Sequence, residues 1–302
     1  MSSALGVDEV ELSRLSRVAG RLLAGSPLLP HGQSPRRDRA GRGLEFLDHR
    51  PYSEGDDIRR IDWRATARSR RPIVRRHRDE AFSTVFLCVD RSASMGTGRG
   101  EKWRLALQLA AALGYLLVQG GNRVGLAAFS SGVDRALRPA RGRAAYARLV
   151  KELATLKVRP DGGGSRLESC SALVTSASCA VVISDFLDPG FMRGGIETLQ
   201  ARCGRVQGFH VTDPADVGAA GDDAAGPVVL RDVESGETRP LELGPADRER
   251  AARRRAELER DLARFCRSRG IPVTRCGSPT PWREAILDHL RTLPSFHASS
   301  HA

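Results

Sequence analysis

A chain of 302 residues with 40% hydrophobic and 28% charged side chains can bury a large core, which excludes global disorder and fibrous or collagen-like repeats. Its formal charge of +12 comes from 48 Lys and Arg against 36 Asp and Glu, and Lys102, Lys151 and Lys157 are its only lysines. The longest apolar run, 105–118, is broken by Gln108 and is shorter than the roughly 20 residues that cross a bilayer, so no membrane span is expected.

In chain order, Val7, Val10, Leu15, Val18 and Leu22 predict an amphipathic helix over 7–23. Asp8, Glu9 and Glu11 stand where a signal peptide needs a basic flank and an apolar run, so secretion is not expected. The six cysteines are scattered, with no pair two apart, which fits a reduced cytoplasmic location better than a disulfide framework. Pro, Gly and Ser concentrate in 25–42, so 1–42 reads as an N-terminal helix and linker. Residues 43–82 read as a short, charged lobe with a turn at 52–55, a strand at 72–76, and Trp63, Ile58 and Ile61 in its core.

Within this lobe the charge is concentrated, with fourteen arginines against seven acids between Pro35 and Arg78. A nucleic-acid groove over 35–78 is one reading. It is the less favoured one, because Glu45, Asp48, Glu54, Asp56, Asp57 and Asp62 alternate with the arginines and leave no clean basic run. In the 52–68 block, Arg50, Asp56, Asp57, Arg59, Asp62 and Arg68 form either a partner-binding face or an internal ion-pair network.

From Thr84 the pattern becomes alternating strand and helix. Strands are predicted at 84–89, 123–129, 133–137, 179–184, 206–212 and 271–275, and helices at 102–118, 142–156, 166–176, 195–202, 247–269 and 281–290, with Thr280 and Pro281 as N-cap and first helical residue. Strand 133–137 follows 123–129 through a Ser-Ser-Gly turn and should pair antiparallel. This is an α/β fold, a doubly wound, mostly parallel, Rossmann-like sheet with one antiparallel edge strand and a small β-rich accessory lobe. The main domain is assigned to 83–292, with a β-hairpin insertion at about 219–245 and a disordered tail at 293–302.

Ligands of doubly wound sheets gather beyond the carboxyl ends of the strands. Asp90, Ser92 and Ser94 follow the first apolar strand, Ser165 follows a glycine loop, and Asp185 follows strand 179–184. One carboxylate and two hydroxyls at alternate positions can converge on one point, and hard oxygen donors suit Mg²⁺, with Mn²⁺ or Ca²⁺ as alternatives.

Asp90-Arg91-Ser92-Ala93-Ser94 after a buried strand is similar to the metal-ion-dependent adhesion site of von Willebrand factor A-type domains. That resemblance implies metal binding by Asp90, Ser92, Ser94 and Ser165, with Asp185 acting through water. Ser165 stands where the family usually has threonine, and Asp161 is its competitor in that loop. A second resemblance is carried by Glu45-Phe46, Arg50-Pro51-Tyr52, Gly55-Asp56-Asp57, Arg59, Ile61-Asp62-Trp63, Ala67-Arg68, Asp90 to Met95, Ser184-Asp185-Phe186, Asp213-Pro214 and 232–237. These residues resemble the bacterial family called domain of unknown function 58. The resemblance implies a von Willebrand A-type domain and a MoxR-type AAA+ ATPase, or its client, as protein partner, in chaperone-like assembly or activation.

Enzyme readings fail on spacing. The stretch Gly96 to Lys102 satisfies neither the P-loop nor the dinucleotide fingerprint. A haloacid-dehalogenase-type phosphatase, the distant enzyme alternative, needs a second aspartate where this chain has Ser92, and a hydroxyl is no substitute for that general acid. No catalytic residues are therefore expected, and a non-catalytic, metal-dependent protein-interaction module is.

Overall fold

The structure is a computed structural model that describes residues 5–23, 45–52, 61–69, 71–78, 84–98, 100–159, 164–176, 178–187, 189–203, 205–216, 226–233 and 236–293. Contacts divide the chain into two compact units, Pro30–Phe82 and the remainder.

The larger unit is built on a six-stranded sheet of β3 (Thr84–Asp90), β4 (Arg123–Phe129), β5 (Val133–Ala140), β6 (Ser178–Ser184), β7 (Arg205–Thr212) and β10 (Val273–Gly277), in the order β10-β7-β6-β3-β4-β5. Every neighbouring pair is parallel except β4 and β5, so the predicted antiparallel edge is present. The central strands lack polar alternation because both faces are covered. On one face Val85, Leu87, Val89, Leu126 and Ile183 pack with apolar residues of α1 (Glu9–Leu23), α3 (Glu101–Gln119), α4 (Arg143–Thr155) and α7 (Trp282–Thr292). On the other, Phe86, Cys88, Phe129 and Val182 pack with residues of α5 (Pro189–Cys203) and α6 (Pro245–Ser268).

Several elements differ from the sequence reading. The buried stripe of α1 is Leu12, Leu15 and Ala19, at i, i+3 and i+7, while Val10 and Val18 are exposed. Gln108, the polar break in α3, donates from Nε2 to the Leu5 carbonyl over 3.1 Å and so holds the chain ahead of α1. The predicted helix at 166–176 is a 3₁₀ helix, Leu167–Ala172. Pro281 is the N-cap of α7, not its first helical residue. The inserted hairpin is β8 (Gly226–Arg231) with β9 (Thr238–Leu243), which pair antiparallel with each other and, among the described strands, with no other. All six cysteines are buried and free of disulfides. No helix among the described residues is long and apolar enough to cross a membrane. Of the tail expected at 293–302, Leu293 is buried in the core, and 294–302 lie outside the described residues.

In the smaller unit, β1 (Glu45–Pro51) pairs antiparallel with β2 (Ile73–Arg78), setting Glu45 opposite Arg78 and Asp48 opposite Arg76. Between them lies α2 (Trp63–Ser69). Asp62 caps this helix, its Oδ1 accepting from the Ala65 amide at 3.1 Å. Trp63, expected in a core, is 66% exposed. Burial in this turn goes instead to Asp62 and Val74.

Candidate metal centre

The strand order reverses beside β3: the chain passes from β3 to β4 on one side and returns to β6 on the other. The crevice beyond these carboxyl ends is where this architecture places a ligand, and the polar residues of the larger unit converge there.

Asp90 ends β3 and is 1% exposed. Its Oδ1 accepts from the Ser92 amide at 2.9 Å, a turn that leads into the 3₁₀ helix Ala93–Gly96 and carries Ser94 round beside Ser92. Ser92 Oγ and Ser94 Oγ lie 3.1 Å apart. Ser165 Oγ donates to Asp90 at 3.1 Å to Oδ1 and 3.0 Å to Oδ2. On either side in sequence, the Arg166 amide donates to the Ser130 carbonyl at 2.7 Å and the Arg159 amide to the Arg91 carbonyl at 2.7 Å. Asp185 follows β6 and is 2% exposed. Burial, and then the charge of Asp185, raise the Asp90 carboxyl to about 6.

The five residues expected at the site, Asp90, Ser92, Ser94, Ser165 and Asp185, therefore lie together and buried. Octahedral Mg²⁺ at about 2.0–2.1 Å from its donors sets neighbouring donor oxygens about 3 Å apart. The Ser92 to Ser94 and Ser165 to Asp90 separations match that spacing, so the residues present fit such an ion. No cluster of three or more His, Cys, Asp or Glu side chains suited to a metal occurs among the described residues. Asp161 lies outside the described residues. Of the block proposed to face a partner, Arg50 lies in β1, Asp62 caps α2, Arg68 is exposed in its last turn, and Asp56, Asp57 and Arg59 lie outside the described residues.

Ser184, Phe186, Lys102, Asp216 and Thr97 were not expected at the site. Ser184, the last residue of β6, donates to Asp90 Oδ2 at 2.6 Å and accepts from the Phe186 amide at 3.0 Å. Phe186 takes φ of 49°, a left-handed conformation uncommon for a bulky residue. Lys102, at the start of α3, is 0% exposed. Its Nζ donates to Asp185 Oδ2 at 2.9 Å, Asp216 Oδ1 at 2.7 Å and Thr97 Oγ1 at 3.0 Å, which uses all three ammonium protons. Asp216 is carried by a 3₁₀ turn, Pro214–Asp216, after β7. Burial works to raise its carboxyl, yet hydrogen bonding to Lys102 and that residue's charge hold it below the usual value. Composition carried a weak signal for Lys102: it is one of three lysines in a chain whose other basic residues are arginines and histidines. A compact ammonium with three rotatable donors serves two carboxylates and a hydroxyl at once.

At the rim, Asp134 on β5 accepts from Arg91 at 3.2 Å and from Arg159 at 2.7 Å.

Residues 48–261, spanning both units and every residue of this centre, match the family described as "Protein of unknown function DUF58". The chain belongs to the DUF58 family. It is 36% identical over 254 residues to the uncharacterized protein Rv1480 of Mycobacterium tuberculosis and equally to Mb1516 of Mycobacterium bovis, alignments that cover 82% of this chain and 78% of each relative. A shorter match, 34% over 116 residues, links it to the uncharacterized protein MAV169 of Mycobacterium avium, covering 38% of this chain and 64% of that one. DUF58 membership is thus established by residues in both units, while no activity is attached to the family or to these relatives by name.

Proposed function

We propose that this DUF58 protein is a non-catalytic, metal-dependent protein-interaction module of the von Willebrand A type. Asp90, Ser92, Ser94 and Ser165 would hold a divalent ion, Mg²⁺ in the first instance, with Asp185 acting through water. When bound, the ion supplies a Lewis-acidic position for a carboxylate of the partner. The observation that carries this reading is the convergence of Ser92, Ser165 and Ser184 on one buried carboxylate at the reversal of strand order. The protein's own part is to orient these oxygens from three separate loops and keep them from bulk water.

The partner implied by the family resemblance is a MoxR-type AAA+ ATPase or its client, within chaperone-like assembly or activation. Calorimetric titration with a MoxR-type ATPase from the same genome tests the reading. Capture should require Mg²⁺ and be abolished by Asp90→Ala or excess chelator, with the fold retained. Unchanged affinity in both would overturn it. Affinity for DNA or RNA that falls steeply with salt and ignores chelator would support the arginine-rich 35–78 segment as the binding surface instead.

A further inference from the structure

The β8–β9 hairpin, inserted between β7 and α6, carries apolar side chains that the candidate centre does not use. Val229, Val233 and Leu241 make up half of the large apolar side chains left exposed among the described residues, and Val229, at 68%, is the most open of them. Apolar side chains grouped in the open in this way mark an interaction surface, whereas scattered ones do not.

The ladder shows which part of the ribbon is offered. The Asp232 amide donates to the Glu237 carbonyl directly across from it at 2.8 Å, so ladder bonds recur at every second pair, at 230/239 and 228/241. The pairs between them, 231/238, 229/240 and 227/242, turn their backbone groups outward. Pro227 and Pro240 therefore occupy outward positions, one on each edge, where proline removes the N–H that an added strand would bond. Strand addition at the edges is disfavoured, and the faces remain. On one face Gly226 and Val228 are half-buried, while the other presents Pro227, Val229, Arg231, Thr238, Pro240 and Glu242, every one of them exposed. Pro227, Val229, Pro240 and Glu242 also line a shallow groove.

The charges on this open face are placed for a second copy of it. Along the ribbon Pro227 stands opposite Glu242, Val229 opposite Pro240 and Arg231 opposite Thr238, which puts an acid at one end, an apolar centre and a base at the other. Neither Arg231 nor Glu242 is in an ion pair among the described residues. Packed sheets lie about 10 Å apart. At that spacing, with a two-fold axis running across the strands, Val229 meets its copy, Pro240 meets its copy, and Arg231 of each chain lies diagonally from Glu242 of the other. A two-fold axis along the strands would instead set Glu242 beside Glu242 and Arg231 beside Arg231. The charge pattern thus selects one antiparallel arrangement.

We propose that this face is a self-association surface on which a second copy of the chain docks antiparallel. The proposal is independent of the metal-dependent reading and asks nothing of Asp90 or its neighbours. Six residues a side fall well short of the roughly 20–30 in a standard stable interface, so the dimer is a reversible one that forms as concentration rises.

Sedimentation equilibrium of the full chain, from low to high micromolar concentration, tests it. The natural chain should pass from monomer to dimer. Val229→Glu removes an apolar contact from each side and sets two like charges together, and should weaken dimerisation by at least about tenfold. Arg231→Glu and Glu242→Arg should each weaken it several-fold, because each turns two attractive diagonals repulsive. Arg231→Glu/Glu242→Arg, which makes them attractive again, should return the dimer to that of the natural chain. All three positions are exposed, so the variants should keep the fold, which circular dichroism checks.

A dimer indifferent to Val229→Glu would overturn the proposal. Single reversals without effect, or a double reversal without recovery, would overturn it equally. A chain that stays monomeric throughout would do the same, and if Val229→Glu then lowered capture of another protein, the face would belong to that partner instead.

Discussion

The Ser184 hydroxyl donates to Asp90 Oδ2 over 2.6 Å, joining the carboxyl end of β6 to that of β3 inside the sheet. The same oxygen accepts the Phe186 amide and so shapes the left-handed turn after Asp185. Ser184→Ala removes both partners at a fully buried position, and the expected loss is about 1–3 kcal/mol of unfolding free energy. Urea denaturation measures it. A loss near zero would show that the hydroxyl is not a structural tie.

Gly195 in α5 lies against the 3₁₀ helix that follows Ser165. A Cβ there would stand 2.6 Å from Leu167 Cβ and 3.1 Å from the Glu168 amide nitrogen. Gly195→Ala should therefore cost about 1–3 kcal/mol through overpacking and displace the Ser165 loop. Chemical shifts of Ser165 and its neighbours, followed with a denaturation midpoint, would register both effects; wild-type values for the two would refute the contact.

His289 supplies an acid-sensitive element away from the candidate centre. It is fully buried in α7, its Nδ1 2.8 Å from Thr274 Oγ1 and its Nε2 3.1 Å from Gln207 Oε1. Burial lowers it to about 4 from its ordinary 6.5. Because the unfolded chain takes up this proton first, the stabilisation is complete above about pH 6.5 and is lost as pH falls through about 4. The change is on the order of 3 kcal/mol. Unfolding free energies at pH 7.5, 6, 5 and 4 should show that slope, and His289→Gln should flatten it.

Trp63 is 66% exposed at the start of α2, so Trp63→Ala should alter stability by no more than about 0.5 kcal/mol. A loss of several kcal/mol on chemical denaturation would place this side chain in a core after all.

Sequence pattern was informative wherever burial was two-sided. The uninterrupted apolar runs of β3, β4 and β6 carried enough signal to give the sheet, and the polar residues directly after β3 and β6 pointed to Asp90, Ser92, Ser94 and Asp185. Pattern was silent where ordering depends on a partner strand. Glu45–Pro51 has no β-branched residue, and its register sets acids opposite arginines of β2, so it read as a charged turn-rich stretch. The 3₁₀ helix at 167–172 shares its spacing with an α-helix too closely to be separated from one over so short a length. Lys102 escaped because α3 reads as apolar around it. Its partners Asp185 and Asp216 lie 83 and 114 residues away in the chain, a proximity that only the folded sheet creates.

The burial of all six thiols has a practical use. A single cysteine introduced at the surface would be the one accessible nucleophile for maleimide dyes under native conditions. Arg166→Cys, exposed and adjacent to Ser165, would set a fluorophore at the mouth of the crevice without prior removal of any natural cysteine.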